Sequence, residues 1–188
     1  MQKKDNALKI AAAIIKSFEG LSLKPYKCPA GVWTIGYGNT SFLKNYKTSK
    51  AEPLKKVDTY KDRLKELYLR MQGVKNDNQT QNNKPQDVVI TMQKAEELLL
   101  KDISVFFEPI WQRLGTLCNA NQLASLTSLA YNIGVGAFLK STLYGLVRAN
   151  PQNYGAIEQE FLKWNKVNNK TLKGLANRRV KEFNLYRL

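Results

Sequence analysis

Glu19 closes an apolar run and stands directly before Gly20, a setting that suits acid–base work. Ile10, Ile14 and Phe18 recur at four-residue spacing with Ala7, Ala11 and Ile15 beside them. That spacing predicts an amphipathic helix over 5–19, capped by Asp5 and stopped by Gly20. A carboxyl at the end of such a face, half buried against whatever follows, is favoured in its protonated form. Cleavage of a glycosidic bond needs such a group, because the leaving oxygen must take a proton as the bond breaks. The competing reading is a solvated glutamate that merely ends a helix.

The rest of the composition narrows the chemistry. The sequence has no histidine, so Ser-His-Asp and Cys-His pairs are excluded, and acid–base work falls to carboxylates, Cys, Lys or Tyr. A zinc site would have to be assembled from two cysteines and carboxylates, and neither a metal nor a cofactor is expected. Two cysteines, Cys28 and Cys118, make no disulfide framework and suit synthesis in a reducing compartment, with a single bridge between them left open. Thirty Lys and Arg against fifteen Asp and Glu give a formal charge of +15 that hardly changes between pH 5 and 8. Such a field attracts polyanions of any kind: nucleic acid, anionic membrane, or the acidic groups of a bacterial wall. No apolar run is long enough to span a membrane, and no export signal is visible at the N-terminus.

The elements that must position Glu19 follow from patterning. Residues 20–40 change to a β-rich run, with Val32-Trp33-Thr34-Ile35 and Tyr37 punctuated by Pro25, Pro29, Gly31, Gly36 and Gly38, which predicts a small hairpin or three-stranded sheet. Residues 41–90 read as an insertion: a helical pattern at Leu64, Leu67, Tyr68 and Met71, then the polar tract from Lys75 to Lys84 as a loop. Thr91 caps a helix through Phe106 that is interrupted or kinked at Pro109 and links two lobes. Asn119 or Asn121 opens a helix over Leu123–Tyr131, Ser141 opens another through Val147, and helical signals return at 154–164 and 175–187. The fold class is therefore α+β, with a small N-terminal β lobe and an almost wholly helical lobe over 91–188, within one domain spanning 1–188.

Spacing then ties Glu19 to two further residues. Eight residues separate Glu19 from Cys28, five separate Cys28 from Thr34, and Ile35-Gly36-Tyr37-Gly38 follows. This stretch resembles the phage-type lysozyme family, glycoside hydrolase family 24, in which Glu, then Asp or Cys, then Thr stand at those intervals before Ile-Gly-x-Gly. Tyr131-Asn132-Ile133-Gly134 through Phe138, with Ser141-Thr142-Leu143, resembles the family's central helix and the turn after it. Gly174-Leu175-Ala176-Asn177-Arg178-Arg179-Val180-Lys181-Glu182 resembles its Gly-Leu-x-x-Arg-Arg-x-x-Glu segment.

The resemblance implies a lysozyme-like fold and a muramidase cutting the β-1,4 bond between N-acetylmuramic acid and N-acetylglucosamine of peptidoglycan, for host lysis. It implies Glu19 as general acid, with Cys28 and Thr34 holding or activating the attacking water and inversion as the outcome. It also implies Thr40, Tyr131, Asn132 and Ser141 as substrate-binding residues. Each has a plainer alternative. Cys28 is a small side chain that can simply pack under the hairpin, and a neutral thiol is a poor base unless a cation such as Lys27 stabilises its anion. Thr34 suits a strand, and Tyr131 suits a core stripe. Asn39 stands where many members have His, a change expected to disturb hydrogen bonding under the site. Trp164, Arg178 and Arg179 are expected to tie the C-terminal helices together. Rival functions are a lytic transglycosylase, or a basic wall- or nucleic-acid-binding protein without catalysis; no specific nucleic acid is implied. The expected partner is bacterial peptidoglycan. The chain is expected to be a monomer, made in the cytoplasm and released to the wall through a holin-like pore.

Overall fold

A computed structural model describes residues 2–28, 32–45, 88–167 and 169–188. The proposed helix around Leu64–Met71 and the polar tract at 75–84 lie outside them. The chain divides into two compact units, Glu19–Val105 on one hand and Met1–Phe18 with Phe106–Leu188 on the other. Both cysteines are free, so the bridge left open by the sequence is not made.

The first unit is built on a hairpin. Strand β1 (Ser22–Lys27) pairs antiparallel with β2 (Trp33–Gly36), with Tyr26 opposite Thr34 and Lys27 opposite Trp33. The register slips between Ser22 and Tyr26. Pro25 lies in that interval, where its missing N–H takes nothing from the ladder. After β2 the chain reverses: Ile35 and Asn39 exchange backbone hydrogen bonds of 2.9 Å each, across Gly36 at φ +66° and Gly38 at φ +94°. A side chain at either position would meet the left-handed penalty that glycine escapes. Helix α2 (Ser41–Asn45) follows. Ile35, Leu43, Val88, Ile90, Ala95 and Leu98 form the buried core, and Leu23, Trp33, Tyr37 and Phe42 pack against it.

Asn39 is the polar brace of this unit. It is buried, donates from Nδ2 to Asp102 Oδ2 at 2.8 Å and accepts the Phe42 amide on Oδ1 at 2.8 Å. The amide thus serves one group as donor and another as acceptor.

Helix α3 (Met92–Leu114) runs through Pro109 to Leu114, so the interruption expected at Pro109 is absent. A proline inside a helix removes one hydrogen bond. Apolar burial on both sides compensates, with Ile103, Phe107, Ile110 and Leu114 at 0% exposure.

The second unit is helical. Helix α1 covers Gln2–Lys16, not 5–19, so Asp5 sits in its first turn instead of capping it, and Glu19 lies three residues past its end. Ser17 and Phe18 amides close the last turn onto Ala13, Ile14 and Ile15 carbonyls. The small buried residues Ala7, Ala11 and Ala12 let α1 lie close against α4 (Ala120–Ile133). A reciprocal capping box opens α4: Asn119 Oδ1 accepts the Gln122 amide at 2.8 Å, and Gln122 Oε1 accepts the Asn119 amide at 2.9 Å. The chain continues through α5 (Val135–Leu139), α6 (Thr142–Ala149) and α7 (Tyr154–Leu162) to α8 (Lys173–Tyr186). Between α7 and α8 stands a feature the all-helical expectation omitted, the hairpin of β3 (Lys166–Val167) and β4 (Lys170–Thr171), which turns through Asn169 at φ +62°.

Helices α4 and α8 are locked by a buried ionic cluster. Glu182 accepts from Ser128 Oγ at 2.6 Å and Arg178 Nε at 3.0 Å, and its other carboxylate oxygen lies 3.0 Å from Arg179 Nε. Ser125 Oγ donates to the Glu182 carbonyl at 2.6 Å. Burial pulls the Arg179 guanidinium down to about 10, against the opposing pull of Glu182. The two arginines therefore do tie the helices together, as their place in the sequence suggests.

Candidate active site

Glu19, Cys28 and Thr34 all belong to the first unit. Glu19 is half-buried, in the short stretch between α1 and β1. The hairpin brings the other two onto one acceptor: the Cys28 amide and the Thr34 hydroxyl both donate to the Val32 carbonyl, each at 3.0 Å. Thr34 is buried at 3% exposure, whereas Cys28 is half-buried. With its proton given to Val32, the Thr34 oxygen is left as an acceptor and can take a hydrogen from a water.

Strand parity sorts the neighbours. Tyr26 lies two residues from Cys28 and pairs with Thr34, which puts all three on one face of the hairpin. Lys27 and Trp33 pair on the other, where the Lys27 ammonium stands 5.4 Å from the centre of the Trp33 ring. Lys27 is thus engaged as a cation over an aromatic face, away from the thiol it was a candidate to activate. Tyr26 is the residue that the sequence reading left out. Burial, then the charges of Cys28 and Glu19, push its hydroxyl above the ordinary tyrosine range, so it remains a donor at neutral pH. The i, i+2 relation to Cys28 was the signal available for it.

Thr40, also in this unit, is buried between the Ile35–Asn39 bridge and α2. The other three residues named for substrate binding lie in the second unit. Tyr131, half-buried, packs its ring 5.1 Å from that of Phe106. Asn132 is exposed, and its Oδ1 accepts from Arg179 Nη2 at 3.0 Å. Ser141 is an N-cap: its hydroxyl donates to Phe138 O at 2.6 Å and accepts the Tyr144 amide at 3.2 Å, which commits it to opening α6. Among the described residues no group of three or more His, Cys, Asp or Glu side chains is placed to hold a metal ion, and no helix is long and apolar enough to cross a membrane.

Comparison with known proteins places the chain. The chain is 32% identical over 177 residues to the endolysin of Acyrthosiphon pisum secondary endosymbiont phage 1, covering 92% of each. It is 31% identical over 175 residues to the endolysin of Bacillus phage PZA, where it spans only 52% of the relative's length. Its fold matches that of the endolysin from Escherichia coli O157:H7 phage FAHEc1 with a TM-score of 0.64 at 27% identity, over 95% of this chain and 90% of that one. That likeness makes the α+β architecture lysozyme-like. The phage lysozyme family pattern matches residues 16–182, taking in Glu19, the hairpin and the Arg178–Glu182 cluster, and the chain belongs to the phage lysozyme family.

Proposed function

We propose that this chain hydrolyses the β-1,4 bond between N-acetylmuramic acid and N-acetylglucosamine in peptidoglycan, with Glu19 as the proton donor. Family membership carries the reaction class, a glycosidase acting on the bacterial wall. The observation that carries the residue roles is the convergence of the Cys28 amide and the Thr34 hydroxyl on the Val32 carbonyl, on the hairpin face shared with Tyr26.

Glu19 protonates the leaving glycosidic oxygen as the bond lengthens. Thr34, whose own proton is committed to Val32, accepts a hydrogen from the attacking water and so leaves a water lone pair for the anomeric carbon. Cys28 holds or activates the same water, whose proton passes to a Cys28 thiolate or to solvent as the new C–O bond forms, and attack from the face opposite the leaving group inverts the anomeric centre. Thr40, Tyr131, Asn132 and Ser141 are the proposed glycan contacts, with Ser141 acting through the helix it caps. The protein works as a monomer, made in the cytoplasm and released through a holin-like pore, and two free cysteines suit that origin. The permanent +15 charge holds it on the anionic wall.

The test is turbidity loss of purified peptidoglycan, followed by mass analysis of the fragments. Reducing muramic acid ends from wild type and none from Glu19→Gln are expected. Fragments ending in 1,6-anhydromuramic acid would replace hydrolysis with transglycosylation.

A further inference from the structure

Glu19 stands on neither a helix nor a strand: α1 ends at Lys16 and β1 begins at Ser22. A reactive group on such a stretch keeps its geometry only if its neighbours in the chain are held, because irregular backbone places side chains less sharply than helices or strands do. Gly20, which follows, has no side chain to anchor, and a Cβ built there meets nothing within 4 Å. Phe18, which precedes, is anchored twice. Its amide closes onto the Ile15 carbonyl at 2.9 Å. Its ring centre lies 4.7 Å from the Arg178 guanidinium carbon and 5.6 Å from the Lys181 ammonium. The two cations are one turn apart on α8 and so stand on one face of that helix. Arg178 is 6% exposed, and it is itself fixed by Glu182 Oε1 at 3.0 Å and the Ser128 carbonyl at 3.3 Å. The ring therefore rests on a cation that is not free to follow it, and cation–aromatic attraction is stronger where water is excluded. Phe18, Arg178 and Lys181 all belong to one compact unit, and a single peptide bond joins the clamped residue to Glu19.

We propose that Phe18 is a positioning residue for the acid. The Arg178–Lys181 clamp on its ring fixes the backbone from which Glu19 departs, and with it the direction in which the carboxyl delivers its proton. The inference rests on Glu19 being the proton donor of the muramidase reading, and it assigns a role in the reaction to a side chain that touches no substrate. An aromatic ring is required there, since an aliphatic side chain of similar bulk has no π face for the two cations.

The experiment measures kcat and KM on soluble glycan fragments of peptidoglycan, together with melting temperature. Phe18→Leu is expected to lose about tenfold in kcat with KM within about twofold, because a small misplacement of a catalytic group acts on turnover before it acts on binding. Phe18→Tyr, which restores the ring, is expected to return kcat to within about twofold of wild type. In a Glu19→Gln background Phe18→Leu is expected to cost nothing further, since its effect runs through the carboxyl. Lys3→Met is the control for stability: it releases the other end of α1 from the Gly115 and Cys118 carbonyls, and is expected to lower the melting temperature and keep kcat. Should Phe18→Leu not fold, Lys181→Gln carries the test from an exposed position, with a loss of about threefold in kcat that the equal charge change Lys173→Gln does not reproduce. Wild-type kcat in Phe18→Leu, a Phe18→Tyr as slow as Phe18→Leu, a loss confined to KM, or equal losses in Lys181→Gln and Lys173→Gln would each overturn the clamp. The two readings fail separately. An inactive Glu19→Gln beside a fully active Phe18→Leu removes the clamp and leaves the muramidase, whereas a Glu19→Gln as fast as wild type removes the proton donor and the clamp with it.

Discussion

At the scale of single residues, the clearest consequence concerns Glu19 and Cys28. Glu19→Gln keeps the shape and removes the proton, so it is expected to lower turnover by roughly 10²–10⁴-fold with an unchanged melting temperature. Cys28 separates two mechanisms. If the thiol only positions water, Cys28→Ser retains activity within about threefold, and Cys28→Asp, which supplies a carboxylate base, raises it. If a thiolate is the base, Cys28→Ser loses about a hundredfold or more, and rate measurements on the three proteins at pH 7 decide. The interval from Glu19 through Cys28 to Thr34 was legible because the motif is local in sequence. Tyr26 was not, since its place beside them depends on strand parity after a register slip, and the slip between Ser22 and Tyr26 cannot be read from residue types. Ser141 was legible as a helix opener, and its hydroxyl caps α6 by donating to Phe138 O and accepting the Tyr144 amide.

Whole elements depend on a few positions that cannot be exchanged. Gly36 turns the chain out of β2 at φ +66°, and a Cβ there would lie 3.5 Å from the Ala95 Cβ, an ordinary contact. The expected cost of Gly36→Ala is therefore conformational, about 1–2 kcal/mol, read as a lower denaturation midpoint at unchanged slope. Between α4 and α8 the cost is electrostatic. Glu182→Gln leaves Arg178 and Arg179 buried without their counter-charge, and a loss of about 3–5 kcal/mol is expected by chemical denaturation. Helices with caps or long apolar stripes, such as the one opened by Asn119, were readable from the sequence. The β3–β4 hairpin was not: two residues per strand give no alternation to detect, and the left-handed conformation of Asn169 in the turn leaves no pattern in the residue types. The end of α1 was also misjudged, because its apolar spacing continues to Phe18 after the helix has stopped at Lys16.

For the molecule as a whole, the α+β class followed from the change of pattern at Gly20, and the basic charge followed from composition. Neither reveals how stability responds to pH, which depends on burial. Histidine is absent, so the neutral range is quiet and the alkaline side is where a buried thiol acts. Cys118 is 2% exposed, and burial pushes its thiol up to about 11, with the Lys3 ammonium opposing. A cysteine in the unfolded chain ionises near about 8.5. Because the folded value is the higher one, the contribution of this group to stability is complete below the unfolded value and is lost as pH rises through the folded one. The loss amounts to about 3 kcal/mol by the alkaline end of that window. Tyr186, whose hydroxyl is pushed up by burial first and by the Cys118 thiolate second, is present in wild type and in Cys118→Ala alike. The difference between their stability curves from pH 8 to 11 therefore reads the thiol together with its coupling to Tyr186: wild type should fall toward the variant as pH rises, and parallel curves would show that Cys118 ionises no later in the fold than outside it. Alkylation at pH 8 gives the same answer independently, with half-buried Cys28 modified in the native protein and Cys118 modified only after unfolding.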